Sequence, residues 1–221
     1  MNLLVVAPHA DDEILGVGGT IAKCVDEGHK VHVCIVTSGH PSMFPVSTLR
    51  ELRHEVLRVH EFLGIENTIF LEFTAVLLNE VPIPELNEKL LEVINDVEPT
   101  VVFLPHCGDL HSDHRIVSSA AMVGLRPINS HRVLEVYSYE TLSETEWNIP
   151  SAKNVFLPNT WVDITKYLGK KLEAMSMYTT QIKEFPHPRS LEAIESLARV
   201  RGSTIGVHAA EAFGLIRRII I

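Results

Sequence analysis

The sequence predicts a single α/β domain over residues 1–221, of the Rossmann-like doubly wound kind: a mostly parallel sheet with helices on both faces. Three observations predict it. Short, continuous apolar runs recur between longer segments with helical spacing. The first of these runs lacks polar alternation, as a strand covered on both faces requires, and residues 30–37 alternate as a strand does. The joints between runs and helical segments are short, which favours right-handed crossovers and parallel pairing.

Residues 2–7 (NLLVVA) are the first such run, stopped by Pro8, and read as the first strand. The polar segment PHADDE follows. Ile21, Ala22 and Val25 then take helical spacing in a helix over 17–27, ended by Gly28, a residue suited to a left-handed C-terminal cap. Residues 30–37 (KVHVCIVT) form the second strand. The pattern repeats with a helix over 48–63 closing on Gly64, a strand near 68–72, a helix over 83–97 and a strand over 100–104. A strand near 133–139 leads into a polar, proline-containing stretch, 141–160, read as a loop with room for one short strand. Helices over 163–177 and 190–201 complete the pattern, and no repeat, low-complexity tract or linker divides the chain.

Composition excludes several classes of partner. With 19 Lys plus Arg against 28 Asp plus Glu, the formal charge of −9 repels nucleic acid over most of the surface. Cys24, Cys34 and Cys107 are too few and too irregularly spaced for a disulfide framework, which suits a reducing compartment. The amino terminus has no basic region before its apolar run and no small-residue cleavage site. No segment approaches the roughly 20 apolar residues of a membrane span, so a soluble cytoplasmic protein is expected. An apolar share of 46% leaves room for a homo-oligomer without showing one.

Two clusters carry the chemistry. Pro8-His9-Ala10-Asp11-Asp12-Glu13 follows the first strand, and His106-Cys107-Gly108-Asp109-Leu110-His111-Ser112-Asp113-His114-Arg115 follows the fourth. In the strand order 3-2-1-4-5, strands one and four are neighbours, and their carboxyl-end loops diverge around the ligand crevice. Pooled, the clusters offer imidazoles and carboxylates, the donor set of a catalytic zinc with three protein ligands and one open position. Two His and one Asp leave the ion with a net positive charge, so it remains a strong Lewis acid. Iron and manganese remain open, because imidazole also binds other transition metals. Cys107 adds nothing this chemistry needs and is read as a packing residue.

These residues resemble the PIG-L/LmbE-type N-acetylglucosaminyl deacetylases, whose marks are an H-P-D-D-E-like segment after strand one and a later H-x-D-H. The marks here are His9-Ala10-Asp11-Asp12-Glu13 and His111-Ser112-Asp113-His114, joined by Gly18-Gly19 and an Ala-Glu-Ala-Phe segment at 210–213. Ala10 replaces the commoner proline. The resemblance implies that His9, Asp12 and His114 bind Zn²⁺, that Asp11 is the general base and that His111 is the acid partner. Residue geometry agrees: adjacent carboxylates diverge, so one can ligate while the other takes a proton. His111 and His114, spaced i, i+3, share one side of a helical turn, and Asp113 is expected to orient His111. The implied reaction is hydrolysis of an N-acetylated sugar or glycoconjugate by metal-activated water.

Arg50, Arg53 and Arg115 are candidates for contacting a substrate hydroxyl or phosphate, against the plainer reading of helix-surface charges. Family members often carry a sugar-contacting Asp after the third strand, where this chain has Phe73-Thr74-Ala75-Val76. Glu13 has no assigned chemical step and is read as a support for its loop. The segment 185–189 and His208 are placed among residues that could cover the pocket. Rival readings are a nucleotide-binding protein, a metal-binding module without catalysis, and a zinc hydrolase of another amide or ester. The first fails because Gly16-Val17-Gly18-Gly19 has Ile21 in the third fingerprint position. The second has no use for Asp11 and His111.

Overall fold

A computed structural model describes residues 1–128 and 133–221. Its elements run β1 (Asn2–Ala7), α1 (Asp12–Asp26), β2 (Lys30–Ser38), α2 (Val46–Leu63), β3 (Asn67–Thr74), a 3₁₀ turn (Leu78–Glu80), α3 (Ile83–Val97), β4 (Val101–Pro105) and α4 (Ser112–Gly124). They continue with β5 (Glu135–Tyr139), β6 (Thr160–Asp163), α5 (Leu168–Ser176), α6 (Leu191–Ile205) and β7 (Ala210–Arg218). The strands form one sheet in the order β3-β2-β1-β4-β5-β7-β6. Pairing is parallel from β3 through β5, and β7 runs antiparallel to both β5 and β6.

The first strand shows why its apolar run does not alternate. Leu3, Val5 and Ala7 pack into a core with α1, α2 and Met175 of α5, whereas Leu4 and Val6 pack into a second core with α3 and α4. Both faces are covered, so both sets of side chains are apolar. Helix α2 ends as expected on Gly64, whose φ of 80° lies in the left-handed region. Helix α1 lies unusually close to the sheet: a Cβ on Gly16 would sit 2.3 Å from the Tyr139 ring.

Four parts of the chain differ from the sequence expectation, one of them the helix expected over 163–177, which spans Leu168–Ser176 while Asp163 ends β6. Helix α1 starts at Asp12 rather than 17, so the acidic cluster forms its first turn, where carboxylates complement the exposed N–H groups. The segment after His111 continues as a full helix, α4, because Val117, Ala120 and Ala121 make a small buried face. The carboxyl-terminal strand β7 was not anticipated. It is anchored by Glu211, which accepts hydrogen bonds from the Gly19 and Thr20 amides at 2.8 and 2.7 Å and pairs with buried Lys171 at 2.6 Å. Among the described residues no helix is long and apolar enough to cross a membrane.

Candidate metal centre and catalytic cavity

Strands β1 and β4 are hydrogen-bonded neighbours, pairing Leu3 with Val101 and Val5 with Phe103, so both clusters emerge at one end of the sheet. The chain turns sharply between β1 and α1. Asp11 occupies the N-cap position with φ 96° and ψ −25°, a left-handed conformation that a side-chain-bearing residue adopts at a cost of about 1–3 kcal/mol. Glu13 holds it there: fully buried, it accepts the Asp11 amide on Oε2 at 3.1 Å. Its Oε1 accepts the Tyr178 hydroxyl at 2.6 Å and lies 3.4 Å from His60 Nε2. The plain reading of Glu13 as a loop support therefore describes its contacts well.

His9 Nδ1, Asp12 Oδ2 and His114 Nε2 form a nearly equilateral triangle with sides of 3.3, 3.2 and 3.3 Å. A tetrahedral ion with bonds of about 2.0–2.1 Å needs ligand atoms about 3.3–3.4 Å apart. The donor set and spacing therefore fit zinc. Each histidine is also tethered by its other nitrogen, His9 Nε2 at 3.0 Å from Asp113 Oδ2 and His114 Nδ1 at 2.9 Å from Asp109 Oδ2. Asp109 is fixed in turn by the Thr145 hydroxyl, which donates to its Oδ1 at 2.6 Å. A carboxylate on the outer nitrogen fixes the tautomer and aims the inner lone pair at the triangle.

His9 also belongs to a second group of candidate ligands with His111 and Asp113. That group is the poorer site, because His9 Nε2 faces a carboxylate and His111 Nδ1 already accepts the Asp113 amide at 3.1 Å.

Without a cation, the triangle attracts protons. Burial disfavours charge on His114, but the Asp12 carboxylate and the bond to Asp109 outweigh it and raise the imidazole to about 10. Burial likewise opposes a charged His9, yet Asp113 and Asp12 bring it to about 8. Asp12, although buried, is held well below the usual carboxylate range by His114 and His9. A bound divalent ion would take the place of those protons. Burial pushes Asp11 up to about 8, against the nearby Arg189 and with the repulsion of Asp12 and Glu13. Burial and the charge of His9 lower His111 to about 4.

The expected role of Asp113 needs correction. Its carboxylate lies 3.9 Å from His111 Nδ1 and is turned to His9 and to the Val76 amide, which donates at 2.7 Å. The backbone N–H of Asp113, not its carboxylate, meets His111. A neutral His111 that accepts at Nδ1 carries its proton on Nε2.

A cavity of about 210 Å³ opens over His9, Asp11 and His111. Arg189 and Glu144 line it, although neither was singled out individually in the sequence. Arg189 Nη1 reaches Asp11 Oδ2 at 3.4 Å and its Nε donates to the Ser143 hydroxyl at 2.9 Å. The one available signal was the 185–189 segment, already placed among the residues that could cover the pocket.

None of the three arginines expected to bind substrate lines this cavity. Arg115 lies near the start of α4 and turns back onto its own loop, donating to the carbonyls of Asp109 and Leu110 at 2.8 Å each. Arg53 pairs with Glu72 and lies 4.0 Å over the Phe70 ring, and with Arg50 it lines an adjoining cleft. His106 meets the Asn154 carbonyl at 3.0 Å, a loop-packing contact, and Cys107, read as packing, is exposed.

The family model described as GlcNAc-PI de-N-acetylase, PIG-L, matches residues 4–124. An uncharacterized deacetylase of Escherichia coli, YaiS, is 28% identical over 183 residues, covering 80% of this chain and 90% of its own. Diacetylchitobiose deacetylase of Thermococcus kodakarensis is 27% identical over 198 residues, covering 83% of this chain and 71% of its own. Among solved structures, a conserved protein of Thermus thermophilus superposes with a TM-score of 0.82 at 29% identity, covering 100% of this chain and 97% of its own.

Proposed function

The chain belongs to the PIG-L family, an assignment that makes it a deacetylase hydrolysing N-acetyl amide bonds, and from that premise we propose that it is a zinc-dependent deacetylase of N-acetylated sugars or sugar conjugates. The observation that carries this reading is the triangle of His9, Asp12 and His114 with the Asp11 carboxyl beside it. In this reading the whole chain, 1–221, works as one catalytic domain in the cytoplasm.

His9, Asp12 and His114 hold the ion, and Asp113 and Asp109 fix the two imidazoles. When bound, zinc supplies Lewis acidity that lowers the pKa of water and favours negative charge on the acetyl oxygen. Asp11 takes a proton from the attacking water. Its buried carboxyl keeps that proton and then passes it to the departing amine, so one group serves as base and then as acid. His111, neutral and protonated at Nε2, donates that N–H to the acetyl oxygen as charge builds there. This reassigns His111 from imidazolium acid to hydrogen-bond donor, because a proton on Nδ1 would face the Asp113 amide. Arg189 holds Asp11 in place by its charge and contacts the substrate side of the cavity.

The test is release of acetate and free amine from a panel of N-acetyl sugars, sugar nucleotides and acyl amino acids by zinc-loaded protein. Hydrolysis of N-acetyl sugars that is abolished by a chelator and restored by zinc supports the reading. Hydrolysis confined to acyl amino acids or esters replaces it with another zinc hydrolase.

A further inference from the structure

The catalytic cavity has a wall that a bare sugar would not use. From the β2–α2 segment and the turn after β3 it takes Phe44, Leu49, Leu52, Ala75 and Val76, beside the polar Ser38 and Thr48. Large apolar side chains here stay in solvent: Phe44 is 45% exposed and Val76 43%, and Val46 in the adjoining cleft is 56% exposed. Exposed apolar residues gathered at a catalytic mouth point to an apolar ligand surface. Val76 is held there with φ 70°, a rare conformation for a β-branched residue, and its amide is bonded to Asp113. Sugar hydroxyls pressed against the Phe44, Leu49, Leu52 and Val76 side chains would lose their hydrogen bonds to water without replacement there.

The wall does not end at the cavity. Leu49 and Leu52 are shared with the adjoining cleft of about 340 Å³, which continues along Val56 and Phe70 to Arg53. Ala10 lines both spaces, and beside it Asp11 lines the cavity, where the deacetylase reading sets it against the departing amine. The amine-bearing part of the substrate, rather than its acyl group, is therefore the part directed along this trough.

We propose that the trough of Phe44, Leu49 and Leu52 binds an apolar alkyl or aryl group carried by the amine-bearing part of the substrate, as in the aglycone of an N-acetylglucosaminide. The inference rests on the deacetylase reading and adds the substrate class to it. Seating an aryl ring there removes its apolar surface from water, which predicts a gain in kcat/KM of roughly 10- to 100-fold over the free sugar.

The experiment compares zinc-loaded full-length protein on N-acetylglucosamine, its phenyl and octyl glycosides in both anomers, and N-butanoylglucosamine, reading free amine. The expected result is a preference for at least one phenyl or octyl glycoside that falls to about a third or less of its value in Phe44→Ala and in Leu52→Asn. Each preference is a ratio within one preparation, so partial unfolding of a variant does not alter it. Equal kcat/KM for free sugar and glycosides overturns the inference and leaves the deacetylase reading standing. A gain on N-butanoylglucosamine without one on the glycosides overturns it in favour of an acyl-chain pocket. Amine release from none of the substrates overturns the deacetylase reading and the inference with it.

Discussion

The metal triangle and the apolar trough lie side by side but are built in different ways. His114 and Asp12 are buried, the His9 side chain is 23% exposed toward the cavity, and both ring nitrogens of each histidine have a partner. The ligands sit at a strand end and in the first turns of two helices, elements packed against both cores. The trough is made of a loop and its following helix turns, with Phe44 exposed and Leu49 and Leu52 half-buried. On the proposed reading, chemistry that must hold an ion to a few tenths of an ångström is placed on rigid elements. Recognition of the rest of the substrate is left to segments that can vary without disturbing it.

That contrast breaks most visibly if the two aspartates prove equivalent. Asp12→Ala is expected to lose bound zinc and with it all metal-dependent turnover. Asp11→Asn is expected to keep zinc in full and lose about 10²–10⁴-fold in kcat. Zinc content and kcat measured on the same samples separate the two roles, and full activity in metal-replete Asp11→Asn would show that the base lies elsewhere.

Protons and metal compete for the triangle, and the sign follows from the two raised imidazoles. Below about pH 8 both His9 and His114 must give up a proton for an ion to bind, and between about 8 and 10 only His114 must. Zinc affinity should therefore rise by up to about 100-fold per pH unit below 8 and by about 10-fold per unit above it. Calorimetry in buffers of different ionisation enthalpy counts the protons released, and a pH-independent affinity would contradict the assignment.

Smaller effects sharpen the rigid side of the comparison. Asp109→Asn leaves all three ligands but unfixes His114, and about 10- to 100-fold weaker zinc binding is expected by competition with a chelator. Tyr178→Phe removes one hydrogen bond from Glu13, which positions the Asp11 backbone. It is expected to lower kcat by about 3- to 10-fold with KM and zinc content unchanged. Arg115→Ala should act on the loop alone, lowering stability by about 1 kcal/mol in a denaturant titration without raising KM.

The same division explains what could be read in the sequence. The runs 2–7 and 100–104 announced strands by their continuous apolar composition, which burial on both faces requires, and 30–37 by its alternation. The convergence of His9, Asp12 and His114 was legible because their residue types are those a metal site would use and because adjacent strands bring their loops together. Strand β7 was not, since its core contacts come from Ala210, Ala212 and Phe213 and its anchor, Glu211, pairs with groups about 190 residues away in the chain. The true partner of Asp113 was hidden for a related reason. Its proximity to His111 in sequence suggested a pair, whereas the fold brings His9, 104 positions distant, to its carboxylate. Arg115 turns onto the carbonyls of Asp109 and Leu110, whereas Arg50 and Arg53 line the adjoining cleft, a difference that a basic residue near a motif does not show in sequence.

The central claim is that residues near both ends of the 9–114 stretch close around one ion. Anomalous diffraction at the zinc edge from crystals of zinc-loaded protein tests it most directly. A single strong peak about 2.0–2.1 Å from His9 Nδ1, Asp12 Oδ2 and His114 Nε2 is the predicted result. A peak between His111 and Asp113, or no peak at this end of the sheet, would contradict the account.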